Sequence, residues 1–125
     1  MSRWAEIGRQ QLTDRSRCEV LGCDNGLGFP RKATQGHHSL IGRDKNHEKL
    51  IDKIENWQAA CAECNVHYRT ADNYEALEYA VLLQARLHGK KRVEQYLDEV
   101  AAALPFSVRA PRRILQRIDE YQSLR

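Results

Sequence analysis

All the cysteines of this 125-residue chain fall within residues 18–64 and in two pairs, Cys18 with Cys23 and Cys61 with Cys64. A tight turn or a helix start can aim two thiolates at one ion while a second pair closes a tetrahedral shell, so this pairing is the spacing of a structural zinc site. Disulfides are the competing reading. Residues 1–11 carry Arg3, Glu6 and Arg9 where a secretory leader needs an apolar run, so the expectation is a cytoplasmic protein with reduced thiols, and zinc is preferred over disulfides. A zinc ion would contribute about 10–16 kcal/mol of apparent binding free energy to tying residues 18–64 together. The composition shows why that matters: aromatic residues make up only 7% and charged residues 30%, which leaves the aliphatic side chains in short clusters. The length fits one compact domain. The longest apolar runs, Tyr79–Leu83 and Val100–Leu104, fall far short of the roughly 20 residues that cross a bilayer, so no membrane partner is expected.

A net charge of +3 decides little, but its distribution is informative. Arg3, Arg9, Arg15 and Arg17 lead the chain, Arg31, Lys32, Arg43, Lys45 and Lys49 surround its middle, and Arg109, Arg112, Arg113, Arg117 and Arg125 close it. The acids gather between Asp52 and Glu78 and again at Glu94, Asp98 and Glu99. Arginine grips phosphate with a planar fork of donors, so segregated clusters of it suit a polyanion; solvated helix faces are the plainer alternative.

Along the chain, residues 2–13 read as a short helix with Trp4, Ile7 and Gln11 or Leu12 on one side. Cys18 to Gly36 is rich in turn formers. Ala33 to Ile41 can supply a strand, Lys49 to Ile54 is a second extended or helical piece, and Asn56 to Gln58 leads into a helix from about Ala62. Beyond Asp72 the periodicity is helical throughout. Asp72 or Asn73 can cap a helix with Tyr74, Leu77, Val81 and Ala85 on its apolar side and Gly89 as its stop. A second helix has Val93, Tyr96, Leu97, Val100 and Leu104 in register, and a third begins near Pro111 with Ile114, Leu115, Ile118 and Tyr121. These stripes are packing surfaces.

Between the cysteine pairs stand His37 and His38. Neighbours on a strand point to opposite faces, unless the strand ends there and twists, in which case one imidazole can face a metal and the next a substrate. Asn56 precedes Cys61, Asn65 follows Cys64, and Tyr68 and Arg69 lie one helical turn beyond Asn65. Taken together, Cys18…Cys23, Gly36-His37-His38-Ser39-Leu40-Ile41 and Asn56-Trp57-Gln58-Ala59-Ala60-Cys61-Ala62-Glu63-Cys64-Asn65 resemble the zinc-stapled branch of the HNH (ββα-metal) endonucleases, and the small HNH proteins of bacteriophages among them. The resemblance covers Cys18 to Arg69, less than half the chain.

The resemblance implies an α+β fold: a zinc-stapled ββα-metal core of short hairpin plus helix over 18–72, an N-terminal helix within 1–17, and a C-terminal helical extension over 73–125. It implies DNA phosphodiester hydrolysis, with His38 as general base, Asn56 orienting it by constraining the loop, and His37 and Asn65 holding a catalytic divalent ion, Mg²⁺, Mn²⁺ or similar. Cys18, Cys23, Cys61 and Cys64 would hold the structural zinc. Arg69 could stabilise the charge that grows on the phosphoryl group. Many members carry His or Lys three to five residues past the Asn65 position; this chain has Tyr68, Arg69 and Thr70 there. His67 would point about 200° from Asn65 on a regular helix and reads as a surface residue, as does His47, while His88 reads as a partner of a helix C-terminal dipole. Partners would be DNA, through the flanking arginine-bearing helices, and a second copy or another phage protein; the setting would be the host cytoplasm. A zinc-stabilised DNA-binding or assembly module that cuts nothing is the alternative, and it would need the thiolates but not the histidine and asparagine set.

Overall fold

A computed structural model describes residues 2–23, 26, 28–67 and 73–123, and for 67 and 119–123 the backbone alone. Helix α1 (Arg3–Gln11) starts where the Ser2 hydroxyl accepts the Ala5 amide at 3.2 Å, satisfying one of the free donors of the first turn. Trp4 and Ile7 of this helix, with Leu12 just after it, pack on Ala33, Trp57 and Ala59.

Strands β1 (Gln35–His38) and β2 (Trp57–Ala60) pair antiparallel, with Gln35 opposite Ala60, His37 opposite Gln58 and His38 opposite Trp57. The fold is α+β. The first strand lies inside the stretch expected to be extended, whereas the second replaces what reads in sequence as a mere approach to a helix. All four residues of β2 are buried, so it lacks the alternation of a half-exposed strand. The connection 39–56 contains two 3₁₀ turns, Lys45–His47 and Ile54–Asn56, around the short helix α2 (Glu48–Ile51), which settles the ambiguous 49–54 segment as mainly helical.

Helix α3 (Ala62–His67) follows β2, and three longer helices close the chain: α4 (Tyr74–His88), α5 (Lys90–Ala101) and α6 (Arg109–Ser123). Asn73 caps α4 by accepting the Ala76 amide at 3.1 Å. Gly89, at φ 91°, turns the chain directly from α4 into α5, a conformation that a residue with a Cβ resists. Among the described residues no helix is long and apolar enough to cross a membrane.

The largest core is shared by the two halves of the chain. Leu40, Ile41 and Ile51 of the strand connection are buried with Val81, Leu97 and Leu115 of the C-terminal helices. Each such side chain contributes roughly 1.5–3 kcal/mol through removal from water. Polar ties reinforce the contact: the Tyr96 hydroxyl donates to the Ile51 carbonyl at 2.7 Å, and the fully buried Gln84 amide donates to Ser39 Oγ at 3.1 Å and to the Trp57 carbonyl at 2.8 Å. Glu55, buried at the second 3₁₀ turn, accepts from Arg92 Nε at 2.7 Å. The C-terminal helices therefore hold the segment that links the two strands.

Gly36 is required by contact. A Cβ at this position would fall inside the contact distance of Trp57 Nε1 and Cδ1, and the Trp57 ring is fully buried beneath α1 with the Arg15 guanidinium 5.0 Å from its centroid. Gly36→Ala is expected to cost about 3 kcal/mol, the upper part of the overpacking range. Thermal unfolding should shift down by on the order of 10 °C; an unchanged midpoint would mean that the indole can move aside.

Candidate functional site

The first pair of cysteines is placed by loop hydrogen bonds and the second by regular structure. The Cys18 amide donates to the Arg31 carbonyl at 2.8 Å beside the Arg17–Lys32 bridge, and the Cys23 amide donates to the Val20 carbonyl at 3.2 Å across a turn. Cys61 follows the end of β2 directly, and Cys64 lies in α3. The four Sγ atoms lie within 4.8 Å of one another, and Cys23 and Cys61 are 3.9 Å apart. A tetrahedron with zinc–sulfur bonds of about 2.3 Å has edges of about 3.8 Å. All four cysteines are free thiols. The Arg31 and Cys64 amides point at Cys23 Sγ and Cys61 Sγ at 3.4 and 3.5 Å, where each can support negative charge on sulfur. Burial pushes the Cys18 thiol up to about 11. Burial also opposes the Cys61 thiolate, but the Cys64 amide and the neighbouring thiols outweigh it and lower that pKa. This donor set fits a structural metal such as zinc.

The histidines lie side by side on β1 with different partners. His37 Nδ1 is 2.9 Å from Asn65 Oδ1 on α3. The Asn65 amide nitrogen donates to Gln35 Oε1 at 2.6 Å, which turns its oxygen towards His37. Burial lowers the His37 pKa, against the hydrogen bond to Asn65, which raises it. His38 Nε2 is 2.9 Å from Asp52 Oδ1, and the ring stacks on Trp4 with centroids 3.9 Å apart and planes 10° from parallel. Burial lowers the His38 pKa as well, prevailing over the Asp52 carboxylate, which raises it. Burial therefore favours the neutral form of both rings.

Asn56 is fully buried behind this pair. Its Oδ1 accepts from the Leu40 and Ile41 amides at 2.7 and 2.9 Å, and its Nδ2 donates to the Ile41 carbonyl at 2.9 Å. It clamps the chain as it leaves β1, while the Asp52 carboxylate meets Nε2 of the His38 ring. Arg69 lies outside the described residues, with Tyr68 and Thr70; of His67 only the backbone is described, at the end of α3. His47 ends the first 3₁₀ turn, and its Nδ1 is 3.0 Å from Asp44 Oδ2. His88 stands in the last turn of α4, and its Nε2 is buried without a hydrogen-bond partner among the described residues.

Trp4, His37, His38, Arg43, Asp52 and Asn65 all line one open groove of about 1300 Å³ between α1 and the sheet. Asp52 and Trp4 carry no local signal of this role. One reads as a member of an acidic run and the other as the apolar side of a helix, because their contact with His38 is made across 14 and 34 residues of sequence, respectively.

The fold and site thus define an α+β protein with a four-cysteine cluster that could hold a metal. Comparisons with protein-family models, with curated proteins and with solved structures find no match to this chain.

Proposed function

We propose that this chain is a metal-dependent DNA endonuclease of the HNH type, its sheet and α3 serving as a zinc-stapled ββα-metal core. The observation that carries this reading is the approach of His37 Nδ1 to Asn65 Oδ1, 2.9 Å, beside the His38 imidazole in the same groove. His37 and Asn65 offer one nitrogen and one oxygen at the spacing of adjacent ligands, and a divalent ion there would neutralise charge developing on a phosphoryl group. Burial favours the neutral form of His37, which has a lone pair to offer once its hydrogen bond to Asn65 is exchanged.

His38 is the base in this scheme. Its neutral imidazole takes a proton from water as the water oxygen attacks phosphorus, the bond to the leaving 3′-oxygen breaks, and that oxygen takes a proton from solvent. Arg43, on the same groove wall, is available to a flanking phosphate. The thiolate cluster holds β2 and the start of α3 together, and so keeps His37 and Asn65 in reach of one another.

Supercoiled plasmid incubated with the protein is expected to be nicked or linearised with Mg²⁺ or Mn²⁺ present, and left intact with EDTA. Cleavage unaffected by chelator would remove the ion from the reaction. Intact plasmid under every metal condition, with DNA still bound, would favour the non-catalytic zinc module, for which the cysteine cluster alone suffices. The pH profile has a defined sign. Burial holds the His38 pKa below its ordinary value, and a cation on the neighbouring His37 would lower it further, so the base stays deprotonated at a pH where a free imidazole is half protonated. The acid limb of the rate should therefore lie below pH about 6.5; a limb at or above that value would contradict the assignment.

A further inference from the structure

A histidine base works only if the correct ring nitrogen carries the lone pair, and that choice is made by whatever holds the other nitrogen. For His38 the holder is a carboxylate, Asp52 Oδ1, 2.9 Å from Nε2. An ionised carboxylate can only accept, so the proton resides on Nε2 and Nδ1 is the basic atom. The two side chains are 16% and 17% exposed, shielded enough for the bond to govern the ring and open enough for the site to be reached.

Asp52 is itself firmly placed. It ends α2, its amide donating to the Glu48 carbonyl at 2.8 Å. The preceding residue, Ile51, is fully buried, and its carbonyl is taken by the Tyr96 hydroxyl at 2.7 Å. The C-terminal helical core thus fixes Asp52, and Asp52 fixes the base. Trp4 completes the arrangement: its ring lies nearly parallel to the imidazole, and this leaves rotation within the ring plane as the motion that the carboxylate restrains.

We propose that Asp52 is the positioning residue of His38, selecting its Nε2–H tautomer and fixing the direction of Nδ1, with Trp4 as the plate against which the ring is set. The assignment rests on the endonuclease reading for its kinetic consequence, but the tautomer is a property of the folded protein and can be read without any substrate.

The experiment uses the full, zinc-loaded chain labelled with nitrogen-15, at pH about 8 where a free imidazole is neutral. Long-range proton–nitrogen correlation spectra distinguish the two tautomers of His38. The wild type is expected to show the Nε2–H form, Asp52→Leu a mixture of both, and Asp52→Asn, which keeps an acceptor oxygen, a partial return to the wild-type pattern. In plasmid cleavage Asp52→Leu should lower kcat on the order of 100-fold, as misplacing a reacting group does, with KM unchanged. An Nδ1–H form in the wild type, or a tautomer ratio indifferent to both substitutions, would overturn the proposal. So would wild-type kcat in Asp52→Leu. Should Asp52→Leu fail to fold, the wild-type spectrum and Asp52→Asn still decide. Should the wild type cut no DNA at all, the nuclease reading falls while the spectra still report on Asp52.

Discussion

Cys61→Ser is expected to abolish zinc binding by the four-cysteine cluster and to unfold the cluster together with the sheet beside it. Cys61 connects β2 to α3 and sits against the other three sulfurs, all four within 4.8 Å. The cluster packs on little else: Val20 and Ala60 are the other buried apolar side chains there, and the Trp57 cluster below it is small. Area removed from water cannot replace the ion in such a region. Apparent zinc-binding free energies of about 10–16 kcal/mol match or exceed the whole stability of an ordinary domain, about 5–15 kcal/mol. A hydroxyl is a poor zinc ligand, and of the remaining thiols Cys18 and Cys64 are buried with their charged forms disfavoured, so the loss should reach about 5 kcal/mol or more. The C-terminal core is built from different residues, so the failure should be graded. Helical circular dichroism from α4–α6 should survive in part, while hydrogen-exchange protection is lost over 17–23, 31–38 and 57–64 and the variant takes up no zinc where the wild type is expected to take up one per chain. Chelation of the wild type should reproduce that pattern. A metal-free Cys61→Ser protein that melts at the wild-type temperature would show that the fold does not depend on the cluster.

How much of this was legible beforehand varies with how local the physics is. The cysteine spacing is informative because ligand geometry is short-ranged, and the four sulfurs do converge. Helical stripes are nearly as legible: Leu77 and Val81 on α4 and Val93, Tyr96, Leu97 and Val100 on α5 are buried as their periodicity implies, although Tyr74 is 49% exposed and the buried face includes Gln84. A glutamine at a core position cannot be recognised until its partners, Ser39 and the Trp57 carbonyl, come from elsewhere in the chain. Strand β2 was hidden for the opposite reason. Trp57 to Ala60 is buried on every side, so neither alternation nor β-branched residues mark it. The packing of Leu40, Ile41 and Ile51 against Val81, Leu97 and Leu115 is likewise a long-range contact that no local pattern marks. In the site, His37 and Asn65 are suggested by motif, whereas Asp52 and Trp4 arrive at His38 only through tertiary structure, which no spacing rule encodes.

Of the substitutions in the groove, His38→Ala is expected to have the largest effect on cleavage and the smallest on everything else. Loss of a general base costs roughly 10²–10⁴-fold in rate. The fold should tolerate the change: the β1–β2 pairing is made by the backbone, and the losses include the stack on Trp4, worth about 0.5–1.5 kcal/mol, and the bond to an Asp52 carboxylate that can rehydrate. On the proposed endonuclease reading, DNA affinity would come from phosphate contacts elsewhere on the protein and should change less than about twofold. His37→Ala should also stop cleavage at low metal concentration, but for a different reason, and the two can be separated. If His37 holds the ion, raising Mn²⁺ should restore part of the His37→Ala activity by mass action and do nothing for His38→Ala, whose ion site is intact. A small exogenous base such as imidazole should act in the reverse sense, recovering activity in His38→Ala alone. Cutting at the wild-type rate by His38→Ala would remove it as the base, and recovery of that variant by Mn²⁺ but not of His37→Ala would exchange the roles of the two rings.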